Sequence, residues 1–157
     1  MIANSLAAGD KAPAFKTPGD DGRELSLASF KGKKLVLYFY PKDDTTGCTK
    51  EAIDFNGLRT SFEKTNTIVV GISPDSCASH VKFKTKHTLA MPLLADETRV
   101  MLEAYGVWKE KSMYGRKYMG VERTTLLIGP DGRIARVWTK VKVPGHADEV
   151  LAAAQDL

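Results

Sequence analysis

The stretch LVLYFYPKDDTTGCTKEAIDF, residues 35–55, holds a strand, a turn and a helix in succession. Leu35–Tyr40 is an unbroken apolar run bounded by the KGKK stretch of residues 31–34 and by Pro41, which predicts a central strand buried on both faces. Pro41 has no amide to give to a ladder and biases Tyr40 toward extended geometry, so the strand should stop there. Past the loop, Ala52, Phe55, Leu58 and Phe62 recur at three- and four-residue spacing. That predicts an amphipathic helix from Thr46–Cys48 to Glu63, with Gly57 a weak point inside it. Cys48 then sits in the first turn of a helix that follows a buried strand.

Working outward, GDKAPAF (residues 9–15) and TPGDDGRELSL (17–27) predict an extended segment, a turn at Asp20-Asp21-Gly22 and an edge strand with alternating Leu25 and Leu27. TIVVGIS (67–73) predicts a second buried strand. DSCASHVKFKTKH (75–87) predicts a second helix capped by Asp75 or Ser76. PLLAD and TRVMLEAYG suggest a short strand and a helix. TTLLIGPDGRIARVW (124–138) reads as two strands joined by a turn at Gly129-Pro130-Asp131-Gly132. The chain closes on a helix with the apolar stripe Ala147, Val150, Leu151, Ala154 and Leu157. Parallel buried strands plus an antiparallel pair give an α/β class with a mixed central sheet flanked by helices, and sites in such sheets gather where strands hand over to helices. No repeat or linker interrupts residues 1–157, so one domain is expected.

Bulk properties exclude several classes. With 43% hydrophobic and 27% charged residues the chain is an ordinary globular protein, and its net charge of +4 with no basic tail argues against specific nucleic-acid binding. No window is apolar enough to span a membrane, and MIANSLAAGDKAPAF lacks the pattern of a secretory leader, so a cytoplasmic location is expected. Two cysteines in a chain this long do not make a disulfide scaffold; they suit a reducing compartment in which thiols are inert or catalytic. No CxxC pair is present, which argues against a dithiol exchanger, and GRKYMG (115–120) is too loose for a phosphate cradle. His80, His87 and His146 have no metal-site spacing with the cysteines and are expected on the surface or on helix faces, so no metal site is predicted.

A helix N-terminus stabilises a thiolate through its free amides and dipole, so Cys48 is a candidate nucleophile. Thr45, three residues earlier, can place its hydroxyl beside the sulfur or beside a bound oxygen, or can simply cap the helix. Pro41 would stiffen the entering loop. Asp43 and Asp44 oppose a thiolate and are therefore expected to point outward. Arg123, at the start of RTTLLI, is the candidate cation that offsets them, with a solvated strand end as the alternative. Cys77 is either a packed small hydrophobic residue or an exposed bystander. Spacing alone does not identify the chemistry.

FYPKDDTTGCTKEAIDF resembles the active-site loop of the bacterioferritin comigratory protein or PrxQ group of peroxiredoxins. The group's signature of Pro, three residues, Thr, two residues and Cys is met by Pro41, Thr45 and Cys48. GDKAPAF, LVLYFYP, VVGISPDS, YGVWKEKSMYGRKYMGVERTTLLIGPDGRI and KVKVPGHADEVL extend the resemblance over essentially the whole chain. It implies a thioredoxin-like fold with an added N-terminal segment, peroxide as substrate, no metal or organic cofactor, and recycling by thioredoxin or a similar thiol reductant. It also implies that Arg123 is the catalytic arginine, that Glu51 is a frequent acidic neighbour, and that Tyr40 lines the pocket. The chain is expected to be a monomer, with a weak dimer as the alternative.

Two departures stand out. Thr45-Thr46-Gly47-Cys48 replaces the common Thr-Pro-Gly-Cys, which should change loop stiffness and not activity class. The group's resolving cysteine lies five residues after the peroxidatic one, here Ile53, or in the following helix near Lys84. Cys77, at the start of that helix, is the only other cysteine, and its use would require unwinding around Cys48 eased by Gly47 and Gly57. A one-Cys cycle resolved by an external thiol, and a non-turnover redox-sensing or chaperone-like protein, are the alternatives.

Overall fold

The computed structural model describes residues 6–157. The reading of the N-terminus as leaderless begins on residues 1–5, outside those described. The element order is β1 (Lys16–Pro18), β2 (Glu24–Ser26), β3 (Lys34–Phe39), α1 (Thr46–Gly57), α2 (Arg59–Glu63), β4 (Thr67–Ser73), α3 (Cys77–His87), β5 (Leu93–Ala95), α4 (Val100–Ala104), β6 (Trp108–Met113), β7 (Arg116–Val121), β8 (Thr124–Ile128), β9 (Ile134–Trp138) and α5 (His146–Asp156).

The five-stranded sheet has the order β5-β4-β3-β8-β9. β3 is its centre, parallel to β4 and antiparallel to β8, with Leu37 opposite Val70 on one side and Leu126 on the other. Because side chains alternate along a strand, β3 feeds two cores. Leu35, Leu37 and Phe39 pack with Phe15, Ile72, Leu102 and Tyr105 under the N-terminal segment and α4. Val36, Tyr38 and Tyr40 pack with Phe55, Phe62, Phe83 and Val150 under α1, α2, α3 and α5. Gly71 of β4 lies opposite Tyr38, and a β-carbon there would stand 2.8 Å from both Tyr38 Cζ and Leu93 Cδ2. The absent side chain is the space that Tyr38 occupies.

Three expectations need correction, and one region gains elements that had no expectation. Leu25 belongs to a separate two-stranded ribbon, with β1 opposite β2, and not to an edge of the main sheet; Leu27 already starts a 3-10 turn. The long helix breaks at Leu58 (φ −98°, ψ 5°) immediately after exposed Gly57, giving α1 and α2. The apolar stripe of α5 keeps Ala147, Val150 and Ala154 buried, while Leu157 lies past the helix end and is 49% exposed. Residues 108–121 form the antiparallel hairpin β6–β7, which the sequence reading left without structure. Its largely exposed, charge-alternating strands carry no apolar period to detect.

Candidate active site

β3 and β4 are parallel neighbours, so their following loops leave the same edge of the sheet. Tyr40 N–H donates to Ile72 O (3.0 Å), extending the pairing one residue past β3, and Pro41 then prevents it from continuing. The first α1 bond runs from Thr49 N–H to Thr45 O (2.8 Å). Thr45 is the N-cap residue, but its side chain caps nothing: Oγ1 donates instead to Lys42 O at 3.0 Å. Among the described residues, the amides of Thr46, Gly47 and Cys48 therefore have no intrahelical or side-chain partner and point out of the helix mouth.

Cys48 is 1% exposed in this first turn. Arg123 sits between β7 and β8, held by its own carbonyl, which accepts from Val141 N–H (3.0 Å), while neighbouring Glu122 N–H donates to Val107 O (2.8 Å). Its guanidinium reaches back over α1. Nη2 donates to Cys48 Sγ at 3.3 Å and Nη1 to Glu51 Oε1 at 2.5 Å. A β-carbon on Gly47 would come to 3.4 Å from Nη2, so the glycine leaves the guanidinium its path. Cys48, Arg123 and Glu51 are thus one constellation. Thr45 and Pro41 are on the loop that enters it.

Glu51 is 1% exposed, and its Oε2 has no hydrogen-bond partner among the described residues. Burial pushes its carboxyl up to about 7 against the opposing pull of Arg123. Burial works against the charge on Arg123, but Glu51 and Cys48 outweigh it and the net direction is up. Burial, followed by the Glu51, Asp43 and Cys48 charges, raises the Tyr38 phenol, so it stays protonated.

The expectation that Asp43 and Asp44 both point outward holds for Asp44 only. Asp44 pairs at the surface with Lys86 (2.8 Å) and His87 (3.0 Å). Asp43 is buried: Oδ1 accepts from Tyr40 OH (2.6 Å), and Oδ2 meets Ser79 Oγ (2.8 Å) and His80 Nδ1 (2.7 Å). Its backbone N–H donates to Asp75 Oδ2 (2.8 Å), which also accepts from Ser73 Oγ (2.7 Å). Asp75 is consequently no cap; Ser76 Oγ caps α3 by accepting from Ser79 N–H (3.1 Å).

Of the histidines expected on the surface or on helix faces, His80 and His146 lie on helices but on their buried sides. His80 is fully buried, its Nε2 facing Leu94 O at 2.9 Å, and His146 is buried with Nε2 at 2.8 Å from Thr125 Oγ1. Ligand atoms of Asp43, Asp75 and His80 lie within 4.8 Å of one another, but hydrogen bonds already engage them. Cys77 is half-buried at the start of α3, its Sγ 3.2 Å from Gly19 O, and no disulfide joins it to Cys48. The Asp43 network escaped the sequence reading. Its signal was the spacing of Ser79, His80 and Phe83, which shares one face of α3 with the core.

The AhpC/TSA family profile matches residues 8–137. The chain belongs to the AhpC/TSA family. Within it, the similarity is to the Bcp peroxiredoxins. The putative peroxiredoxin Bcp of Coxiella burnetii is 50% identical over 147 residues, covering 94% of this chain and 97% of its own. Peroxiredoxin Bcp of Bacillus subtilis is 46% identical over 153 residues, covering 98% of both chains. Among solved structures, Xanthomonas campestris peroxiredoxin Q matches with a TM-score of 0.88 at 41% identity, covering 98% of this chain and 97% of its own. A Xylella fastidiosa PrxQ variant matches with a TM-score of 0.92 at 39% identity, covering 98% of both. This peroxiredoxin therefore has the thioredoxin-like fold and is a thiol peroxidase. The ribbon β1–β2 is part of the N-terminal segment added to that fold. Among the described residues, no helix is long and apolar enough to cross a membrane.

Proposed function

We propose that Cys48 is the peroxidatic thiol of a single-domain, monomeric, cytoplasmic peroxidase that reduces hydrogen peroxide and organic hydroperoxides. The observation that carries this reading is the Arg123 guanidinium bridging Cys48 Sγ and Glu51 at a helix mouth with free amides. The Xanthomonas campestris bacterioferritin comigratory protein has been studied for alkyl peroxide reduction and matches this chain at 40% identity with a TM-score of 0.88, which supports the substrate class. The thiolate attacks one peroxide oxygen, the O–O bond breaks, and the other oxygen leaves with a proton as water or alcohol. Arg123 and the Gly47–Cys48 amides stabilise the charge that develops on the leaving oxygen. The Thr45 hydroxyl, its proton directed to Lys42 O, retains lone pairs that accept from a protonated hydroperoxide. Pro41 ends β3 and sets the direction of the loop. No metal or organic cofactor enters the cycle.

Cys77 is the resolving thiol in this proposal. The loops that precede the two cysteines are stitched together by the Asp43 N–H to Asp75 bond, five residues before Cys48 and two before Cys77. At about 3.3–3.6 Å per residue, five unwound residues reach roughly 17 Å. The Cys77 thiolate attacks the Cys48 sulfenic sulfur, the S–O bond breaks, and the oxygen leaves as water. A thioredoxin-type dithiol then reduces the disulfide by exchange.

Intact-mass measurement after one equivalent of peroxide tests this. A loss of about 2 Da in the wild type and a gain of about 16 Da in Cys77→Ser are the expected results. A wild type that stops at about +16 Da establishes the one-Cys cycle instead, and full turnover in Cys48→Ser overturns the assignment of the nucleophile.

A further inference from the structure

The hydrogen bonds on Asp43 connect the peroxidatic loop to the element that carries Cys77. Three belong to α3 or to the turn before it: Ser79 Oγ and His80 Nδ1 on the carboxylate, and Asp75 on the backbone N–H. A fourth, from Tyr40 OH, returns to the end of β3. His80 is itself held at its far side by Leu94 O of β5. A backbone carbonyl only accepts, so Nε2 must carry a hydrogen, and the Asp43 carboxylate, which already accepts from Tyr40 and Ser79, places a second one on Nδ1. The pair is therefore a charge-assisted bond inside the protein.

The next residues are built differently. Asp44 is in the left-handed region (φ 61°) and exposed, and its ion pairs run to exposed Lys86 and half-buried His87 at the far end of α3. Thr45 and Thr46 are also exposed. Four buried or part-buried hydrogen bonds at Asp43 thus give way, past the ion pairs of Asp44, to the exposed residues Thr45 and Thr46 that lead into Cys48.

From this juxtaposition we infer that the Asp43–His80 pair, with Ser79 and Asp75, is a fixed anchor that persists in reduced and disulfide states, and that the Cys48 segment pivots about Asp44. The inference rests on Cys77 as resolving thiol. Asp43 and His80 act as positioning residues: they touch neither peroxide nor sulfur, and they keep the moving sulfenic acid tethered to the helix of its partner. A short tether raises the effective concentration of one group at the other, and freeing Asp43 would lengthen it back to β3. The covalent step is unchanged: the Cys77 thiolate displaces the sulfenic oxygen, which leaves as water.

The test separates the two chemical steps by rapid-quench intact mass on the full chain. In His80→Leu, sulfenic acid formation should stay within about 2-fold of wild type, because the variant leaves Arg123 and the helix mouth in place. Disulfide formation should slow by about tenfold, and the sulfinic product (about +32 Da) should rise under excess peroxide. His80→Asn, whose amide can still donate to Asp43, should recover part of the disulfide rate. Ser79→Ala removes one anchor bond with little risk to folding and should slow the same step by about 2-fold. Hydrogen exchange gives an independent readout: on oxidation, the Thr49 amide, which donates to Thr45 O, should lose protection and the Asp43 amide, which donates to Asp75, should keep it. Unchanged or faster disulfide formation in folded His80→Leu and in Ser79→Ala, or loss of Asp43 amide protection, overturns the anchor. A wild type that forms no disulfide overturns Cys77 as resolver and the anchor with it, so the two failures are told apart by the wild-type mass alone.

Discussion

Arg123 satisfies two demands that a single side chain rarely meets. Its planar fork spans Cys48 and Glu51 with different nitrogens, so a shorter, point-charge cation cannot hold both. Arg123→Met should lower kcat/KM for hydrogen peroxide by about 10²–10³-fold, the range seen when one oxyanion donor is removed. Arg123→Lys should recover only part of that loss; stopped-flow peroxide kinetics would read both. Cys48, Thr45 and Pro41 were legible from spacing and resemblance, because the strand-to-helix handover is local in sequence. The burial of Asp43 was not. It depends on Ser79 and His80, 36 and 37 residues away, and no local pattern reports such a meeting.

Gly57 at the end of helix α1 and Gly71 in strand β4 sit in environments that predict opposite outcomes. A β-carbon at Gly71 would meet Tyr38 and Leu93 at 2.8 Å in a packed interior, so Gly71→Ala should destabilise by about 1–3 kcal/mol. A β-carbon at Gly57 meets nothing within 4 Å, and the residue is not in the left-handed region. Gly57→Ala should stabilise by up to about 1 kcal/mol through helix propensity and reduced unfolded-state freedom. Urea unfolding of both variants, read as midpoint shifts at constant slope, checks the pair. The elements rich in apolar period, β3, β4, β8 and α5, were readable in advance. The hairpin β6–β7 was not, since its exposed strands are specified by cross-strand pairing such as Lys111 opposite Tyr118, and not by burial.

Over the whole molecule, the buried ionisable groups set how stability changes with pH. Glu51 is raised from an ordinary 4.5 to about 7, so between these values the folded state holds a proton that the unfolded chain has lost. Its contribution is complete below about pH 4.5 and disappears as pH rises through about 7. For His80, burial favours the neutral ring, but the Asp43 bond and charge, with Leu94 O and Asp75, win and raise it above 6.5. Its contribution is present below 6.5 and fades as pH rises through the raised value. His146, lowered mainly by burial, acts in the opposite sense around 6.5. The clean measurement is therefore a difference: Glu51→Gln should match the wild type near pH 5 and exceed it near pH 8 by on the order of 2 kcal/mol. A difference that is flat with pH would show that Glu51 is ionised throughout.

The sheet order also has a consequence for how the chain is born. β3, the centre of both cores, is flanked on one side by β4, which follows it closely, and on the other by β8, which begins only at Thr124. At about 5–20 residues per second, a ribosome needs roughly 4–17 s to travel from Phe39 to Thr124. For that interval the most apolar strand of the protein has one open flank, and the nascent chain must be shielded from its neighbours until β8 emerges.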